Sequence, residues 1–390
     1  MASARRPACA TIAAVTVVAV IFWAAVGLLL YTQLGYPALL AVLARLVSAR
    51  SAPDAPGFEP SVAVIVAAHN EESVIGAKVA NALALDWPRE RLQVLVAADG
   101  CTDATVARAR EAGADLVLEL GRVGKIPALD AGVAASRGEL IVFSDANVAL
   151  EPGAIAQLAR AFGDPAVGYA CGQVVFHQAG AGPGADNQEG LYWRYEMAVR
   201  TLESRLASVT AGNGGLHAVR RSAYVVIDPR MDHDIYFPFQ MVKRGLRAVY
   251  VPQARATEKM VPSIEGEFAR KRRFMTHVWI TVLRGGMLSP RGYGLRYGLM
   301  ILSHRVLRYS AWALHLVALV TNAFLLGRGL VYDATFAVQV TLYVTAALGR
   351  VRPFLIARYY VTMNASIALG LWDYLRAPTP THWETAEGTR

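Results

Sequence analysis

The chain has 390 residues, 54% of them apolar and only 18% charged, with a positive mean hydropathy, which favours a membrane protein carrying one substantial soluble domain. Its net charge of +9 comes without zinc spacing, an RNA-binding signature or a helix-turn-helix pattern, so nucleic acid is not expected as a partner; arginines near membrane ends facing anionic lipid account for the excess. Three scattered cysteines, Cys9, Cys101 and Cys171, give neither a disulfide framework nor a cysteine metal site and suit a reduced, cytosolic domain.

From Ala8 to about Leu30 the chain is uncharged and apolar, long enough to span a bilayer at ~1.5 Å per residue. Arg5 and Arg6 ahead of it also suit a signal peptide. The run is long for one, however, and no small-residue cleavage site follows, which favours a retained anchor over residues 1–50. Gly35-Tyr36-Pro37 is expected to interrupt the helix. Three prolines and a glycine mark 51–60 as a linker.

From Ser61 strand and helix patterns alternate. Strands are expected at Val62–Ala67, Leu92–Ala97, Asp115–Leu120 and Leu140–Phe143, and helices at Glu72–Leu83, Ala104–Glu111 and Gly124–Ser136. This alternation predicts an α/β layer with a largely parallel sheet, whose ligands gather beyond the carboxyl ends of the strands. A Gly/Ala/Pro loop at Gly180–Asn187 precedes a helix at Tyr192–Leu206, and a glycine-rich turn spans Ala211–Gly215. Arg220-Arg221 opens a short helix, and a longer one runs from Asp234 to Lys243, ended by Gly245. The soluble domain is set at 61–262. Residues 263–300 mix apolar and basic positions at helical spacing, as in a helix lying on a membrane surface. Apolar segments at about Tyr309–Leu326, Tyr332–Leu348 and Phe354–Leu371 predict three spans within 301–376, followed by a tail at 377–390. Arg305, Arg308, Arg350, Arg352 and Arg358 place the flanking ends in the cytosol.

Several clusters can carry chemistry. Asp99-Gly-Cys-Thr-Asp103 offers a carboxylate to a base edge or ribose hydroxyl, and equally suits a turn capping a helix. Asp145-Ala-Asn147 sets two oxygen ligands at i and i+2 for a divalent cation, and is also a common turn sequence. Lys125 follows a glycine at a helix start, where it can hold phosphate or simply face solvent. Asp234, beside His233 and before Ile235-Tyr-Phe-Pro238, suits a general base in partly apolar surroundings or a helix cap. Arg270, Arg273 and Phe274 put two guanidinium forks and a ring on one helical face, for phosphate or for lipid headgroups.

In order, these segments resemble the membrane-bound, processive branch of family-2 glycosyltransferases, the group of hyaluronan, chitin and cellulose synthases. The matching stretches are Val64-Ile-Val-Ala-Ala-His-Asn70-Glu71, Asp99-Gly-Cys-Thr-Asp103, Gly124-Lys125 through Leu129-Asp130-Ala-Gly132, and Phe143-Ser-Asp145-Ala-Asn147. They continue with Gly212-Asn213-Gly214 through Arg220-Arg221, with His233-Asp234, and with Arg270-Lys-Arg-Arg273-Phe274. The sequence departs from the family pattern at Cys101, Asp130, Asn147, His233 and Phe274.

The resemblance implies a GT-A fold, Rossmann-like and mostly parallel, in a cytosolic domain held in the inner or plasma membrane by one N-terminal and about three C-terminal helices. It implies a UDP-sugar donor, Mg²⁺ or Mn²⁺, and an inverting transfer to a growing polysaccharide, or alternatively to a lipid or lipid-linked acceptor. Asn70, Glu71, Asp99, Lys125 and Asp145 would bind the nucleotide, and Asp145 with Asn147 the metal. Arg270, Arg273 and Phe274 would hold the diphosphate and gate the site. Gly212, Asn213, Gly214 and His233 would face the acceptor, with Asp234 as base. A degenerate relative serving as a membrane scaffold is the non-enzymatic alternative.

Overall fold

The computed structural model describes residues 5–47, 57–177, 188–261, 263–349 and 354–381. The Gly/Ala/Pro loop at Gly180–Asn187, most of the linker, and Arg350 and Arg352 lie outside them. The N-terminal apolar run forms α1 (Arg5–Leu30), followed by a π-helical turn at Tyr31–Gly35 and then α2 (Tyr36–Leu46). The expected interruption at Gly35-Tyr36-Pro37 is therefore absorbed rather than made. Tyr36 N–H donates to Tyr31 O, and the Gln33 carbonyl that the missing Pro37 N–H cannot serve accepts from Tyr195 Oη at 2.9 Å.

Every residue of β1 (Val62–Ala68) is buried, as in the middle of a parallel sheet covered on both faces. After α3 (Ile75–Leu83), β1 pairs in parallel with β2 (Leu92–Asp99); after α4 (Thr105–Glu111), β2 pairs in parallel with β3 (Leu116–Leu120). Then α5 (Lys125–Ala135) leads to β4 (Leu140–Phe143), which lies parallel on the other side of β1. Val62, Val64 and Val66 face a core shared with α3 and α4 and with α6 (Ala154–Ala161). Ala63, Ile65 and Ala67 face a second core built on α5. Each buried valine or isoleucine contributes about 1.5–3 kcal/mol.

The second half of the sheet adds antiparallel pairs to the mostly parallel arrangement expected. β5 (Ala149–Leu150), β6 (Val167–His177), β7 (His217–Arg220) and β8 (Arg247–Lys259) extend it to eight strands in the order β3-β2-β1-β4-β7-β6-β8-β5. β7 runs antiparallel to both β4 and β6, and β5 to β8, so the sheet is mixed. These strands carry their own breakers: β6 contains Gly168 and Gly172, β8 contains Pro252, and the β6–β8 register shifts at Val167/Tyr169 and at Gly172/Gln173. That punctuation hides them from a periodicity reading.

The remaining helices are α7 (Gln188–Leu206), α8 (His233–Lys243), α9 (Ile264–Arg284), α10 (Leu295–Met300), α11 (Ala311–Ala323), α12 (Leu330–Leu348) and α13 (Leu355–Arg376). A third core joins α2, α7, α8 and α9 through Leu40, Leu206, Phe239 and Trp279. The buried face of α9 packs on protein, where Trp279 donates to Ile367 O of α13 at 3.0 Å. Among the described residues two helices are long and apolar enough to cross a membrane, Ala13–Leu46 and α12, while α11 is apolar but shorter. α13 carries Arg358, Asp373 and Arg376 and falls outside that pair.

Candidate active site

The segments after β1, β2 and β4 meet at one edge of the sheet, the carboxyl ends of parallel strands where α/β folds bind ligands. A cavity of about 390 Å³ opens there. Of the residues singled out in the sequence, Glu71, Lys125, Asp145, Asn147, Gly212, Asn213, Gly214, Asp234, Arg270, Arg273 and Phe274 line it. Asn70, Asp99 and His233 do not.

Asp145 follows β4 on a turn held from below by the buried Lys78, which donates to Ser144 Oγ at 2.7 Å and Val148 O at 2.6 Å. Burial pushes the Lys78 ammonium down to about 7. Lys125 Nζ lies 2.6 Å from Asp145 Oδ1. Burial alone would raise the Asp145 carboxyl, but Lys125, with His217 and Lys78, holds it below the usual range. Burial opposes charge on Lys125 in turn, and Asp145 outweighs it, leaving the ammonium at about 12. Both groups are thus charged at neutral pH.

Asn147 Nδ2 donates to Glu258 Oε1 of β8 at 3.1 Å. Burial, reinforced by the charge of Asp145, raises the Glu258 carboxyl. Asp145, Glu258 and Asn147 border one cavity, and their side-chain oxygens are of the type that would suit Mg²⁺ or Mn²⁺. Among the described residues no group of three or more His, Cys, Asp or Glu could hold a metal ion. A cation held here would need further ligands from a diphosphate or water, as Mg²⁺ commonly does.

Asp234 stands in the first turn of α8, and its backbone carbonyl accepts from Gly212 N–H at 2.6 Å, locking the glycine-rich turn onto the helix. Gly212 is required by contact: a Cβ there would lie 1.7 Å from Tyr169 Oη. Burial and then the charge of Asp232 push the Asp234 carboxyl up to about 7, against the pull of Lys125 and Arg200. A carboxylate that holds a proton near neutrality is matched to general-base work.

His233, expected on the acceptor side, points elsewhere. It is buried against Phe143 and Phe237, with centroids 4.9 and 4.7 Å away, and burial keeps it neutral. One position along a helix turns the side chain by about 100°, so Asp234 faces the cavity while His233 packs the core.

Asp99, expected to hold the base, is fully buried. Its carboxylate accepts from Val123 N–H at 2.6 Å, Gly124 N–H at 3.0 Å and the Arg122 guanidinium. It thereby anchors the segment that presents Lys125. Asn70 adopts a positive φ of 52° and accepts from Thr102 N–H at 2.9 Å, tying the segments after β1 and β2 together. On α9, Arg270 makes a two-point pair with Glu267 at 2.7 and 2.8 Å, while Arg273 and Phe274 border the cavity.

Among the charged lining residues, Asp232, Glu258, Lys259, Arg200 and Glu196 escaped the sequence reading. Asp232 had a signal, since Asp232-His-Asp234 contains a carboxylate pair two residues apart. Glu258 and Lys259 lie on a strand that was not read, and Arg200 and Glu196 on a helix read only as a helix. Arg305 and Arg308, read as cytosolic markers facing lipid, are buried beside Glu196.

The chain is similar to proteins of named activity. Over 241 residues it is 29% identical to an N-acetylglucosaminyltransferase of Rhizobium leguminosarum bv. viciae, covering 55% of this chain and 54% of that protein. Over 281 residues it is 26% identical to an N-acetylglucosaminyltransferase of Sinorhizobium fredii, covering 64% and 65%. The chain thus spans little more than half to two thirds of these relatives. Among solved structures, the mannosyltransferase PcManGT of Pyrobaculum calidifontis, in complex with GDP-Man and Mn²⁺, superposes with a TM-score of 0.71 at 22% identity, over 91% of this chain and 99% of that one. That likeness concerns the fold, a mixed α/β sheet of the GT-A type. The family profile described as glycosyltransferase like family 2 matches residues 60–276, more than half of the chain, and the chain belongs to that family.

Proposed function

We propose that the protein is a multi-pass enzyme of the inner or plasma membrane, with a cytosolic catalytic domain, that transfers a sugar with inversion from a UDP-sugar to a growing polysaccharide. The observation that carries this reading is one cavity bordered by both the Lys125–Asp145 pair and Asp234. Asp234 takes the proton of an acceptor hydroxyl, whose oxygen attacks the anomeric carbon. The bond from that carbon to the diphosphate oxygen breaks, and the nucleoside diphosphate leaves with the electron pair. Lys125 and Arg273 stabilise the leaving charge, the larger contribution expected in such a site. Asp145, Asn147 and Glu258 would hold Mg²⁺ or Mn²⁺, which when bound neutralises charge on the diphosphate. The names of the curated relatives make UDP-N-acetylglucosamine the first donor to try.

A lipid-linked acceptor is the second reading. It is supported by the cavity's border at Arg305, Arg308 and Tyr309, immediately before the apolar helix α11. The test is a donor screen by nucleotide release, with and without divalent metal, followed by product analysis. A size ladder means polymer, and a single solvent-extractable product means lipid transfer. No release with any nucleotide sugar would sink the enzymatic reading and favour the scaffold.

A further inference from the structure

The same cavity is bordered by three buried arginines that the transfer step leaves unused. Arg200 of α7 is 6% exposed, and Arg305 and Arg308, just before α11, are 5% and 9% exposed. Two of them retain unspent donors. Arg200 Nε and Nη1 and Arg305 Nη2 are buried and make no hydrogen bond among the described residues. The nearby anions are too few to serve them. Glu196 is shared among Arg200 Nε at 3.9 Å, Arg305 Nη2 at 3.5 Å, Arg308 Nη1 at 3.2 Å and His304 Nε2 at 3.3 Å. Glu203 is already engaged by Tyr36, Thr210 and His304. Trp193 lies 5.5 Å from the Arg200 guanidinium carbon and steadies its plane.

Burying a charged donor without a hydrogen-bond partner is costly, so a structure that keeps two such groups beside a cavity is arranged for an anion that arrives with a ligand. Guanidinium forks match the oxygens of a phosphate. The donor's own phosphates are assigned to Lys125, Arg273 and the Asp145 side. We propose that Arg200 and Arg305 form a phosphate subsite for the acceptor, which presents its hydroxyl to Asp234 while its phosphate is held between the two guanidinium groups. The assignment rests on the glycosyl-transfer reading above and deepens it by naming the acceptor's chemistry. The phosphate can belong to a lipid or to a water-soluble ester.

The test is calorimetric titration of the full chain in a neutral detergent, with inorganic phosphate and with octyl phosphate, each with and without saturating UDP and Mn²⁺. Wild type binds both probes with UDP present. Arg200→Gln and Arg305→Gln each weaken phosphate binding tenfold or more while UDP–Mn²⁺ binding stays within twofold. Arg200→Lys, which keeps the charge and loses the fork, weakens it at least threefold. That variant carries the test if the glutamine variants lose UDP binding and so prove misfolded. Octyl phosphate binding tenfold tighter than phosphate assigns a lipid source, and equal affinity a soluble ester. Failure of wild type to bind either probe, or arginine variants that bind them unchanged, overturns the subsite. If UDP does not bind but phosphate does, and depends on Arg200, the glycosyl-transfer reading falls and the subsite stands.

Discussion

Asn147 donates its side-chain amide to Glu258 across the sheet, 3.1 Å from nitrogen to oxygen. The family motif that Asp145-Ala-Asn147 resembles carries a second aspartate where this chain has the neutral Asn147. The structure sets another carboxylate beside it, from a strand more than a hundred residues later. Glu258→Gln is therefore expected to raise the Mn²⁺ concentration needed for half-maximal UDP binding by about tenfold, the scale seen when supporting groups at metal sites are lost. Asn147→Asp in the Glu258→Gln background should recover most of it. Titration of UDP binding against Mn²⁺ checks both, and an unchanged midpoint in Glu258→Gln would remove Glu258 from the cation site.

Asp234 and Asp232 set the pH response. With the Asp234 carboxyl at about 7, kcat/KM should fall about tenfold per pH unit below that value, because only the deprotonated form accepts the acceptor's proton. Asp232→Asn removes a like charge and should move this acid limb to lower pH, while Asp234→Asn should abolish transfer and leave UDP binding intact. A limb that stays in place in Asp232→Asn would show that the neighbouring charge does not tune the base.

The same shift bears on stability. Because the folded-state value is raised above 3.8, the folded chain holds this proton more firmly than the unfolded chain between about pH 4 and 7. Stability contributed by the protonated form is therefore lost as pH rises through that window and stays lost above it. Asp234→Asn should melt at a higher temperature than wild type at pH 8, with the difference shrinking toward pH 4. Melting curves at several pH values test the sign.

Gly212 carries a steric prediction. A methyl group at this position meets the Tyr169 hydroxyl at 1.7 Å and its ring carbon at 2.6 Å, and Tyr169 is fully buried in the core. Gly212→Ala should cost about 1–3 kcal/mol, in the range of overpacked cores, and should displace the turn bonded to Asp234. Tyr169→Phe added to it removes the oxygen clash and leaves the ring contact, so rescue should be partial. Full stability of Gly212→Ala in a denaturant melt would contradict the contact.

The half of the fold legible from sequence is the half with clean periodicity. The expected strand Leu140–Phe143 matches β4, and the helices ending at Leu83 and Glu111 match α3 and α4 at their C-termini. β6 and β8 were missed because glycine and proline interrupt them, and with β8 went Glu258. The site was legible wherever a motif is local in sequence: Lys125, Asp145, Asp234 and Arg273 all reach one cavity. Side-chain direction was not legible. His233 and Asp234 are adjacent in sequence and face opposite environments, and Asp99 carries the right residue type but spends its carboxylate on the segment before Lys125. Charge pairing was equally hidden, since Arg305 and Glu196 are 109 residues apart in the chain and 3.5 Å apart in space.

Besides the Trp279–Ile367 hydrogen bond, two contacts of different kind pack α9, and with it Arg273 and Phe274, on α13. Arg272 makes a two-point ion pair with Asp373 at 2.6 and 2.7 Å, but the side chains are 40% and 34% exposed. Pairs this open contribute about 0.2–1 kcal/mol. Gly370 brings the helix backbones close: a Cβ there would lie 2.5 Å from Met275 Cβ and 2.9 Å from Arg272 O. Neither atom is the end of a flexible side chain, so Gly370→Ala must push α9 from α13. Met275 directly follows Phe274, and a displacement of about 1 Å at groups that hold a reacting diphosphate can cost about a hundredfold in rate. The double variant Arg272→Ala/Asp373→Ala should therefore lower kcat less than about threefold, and Gly370→Ala by tenfold or more, with UDP binding retained in both. Transfer assays on the two proteins decide it, and the reverse ranking would mean that the ion pair, not the close backbone approach, positions α9.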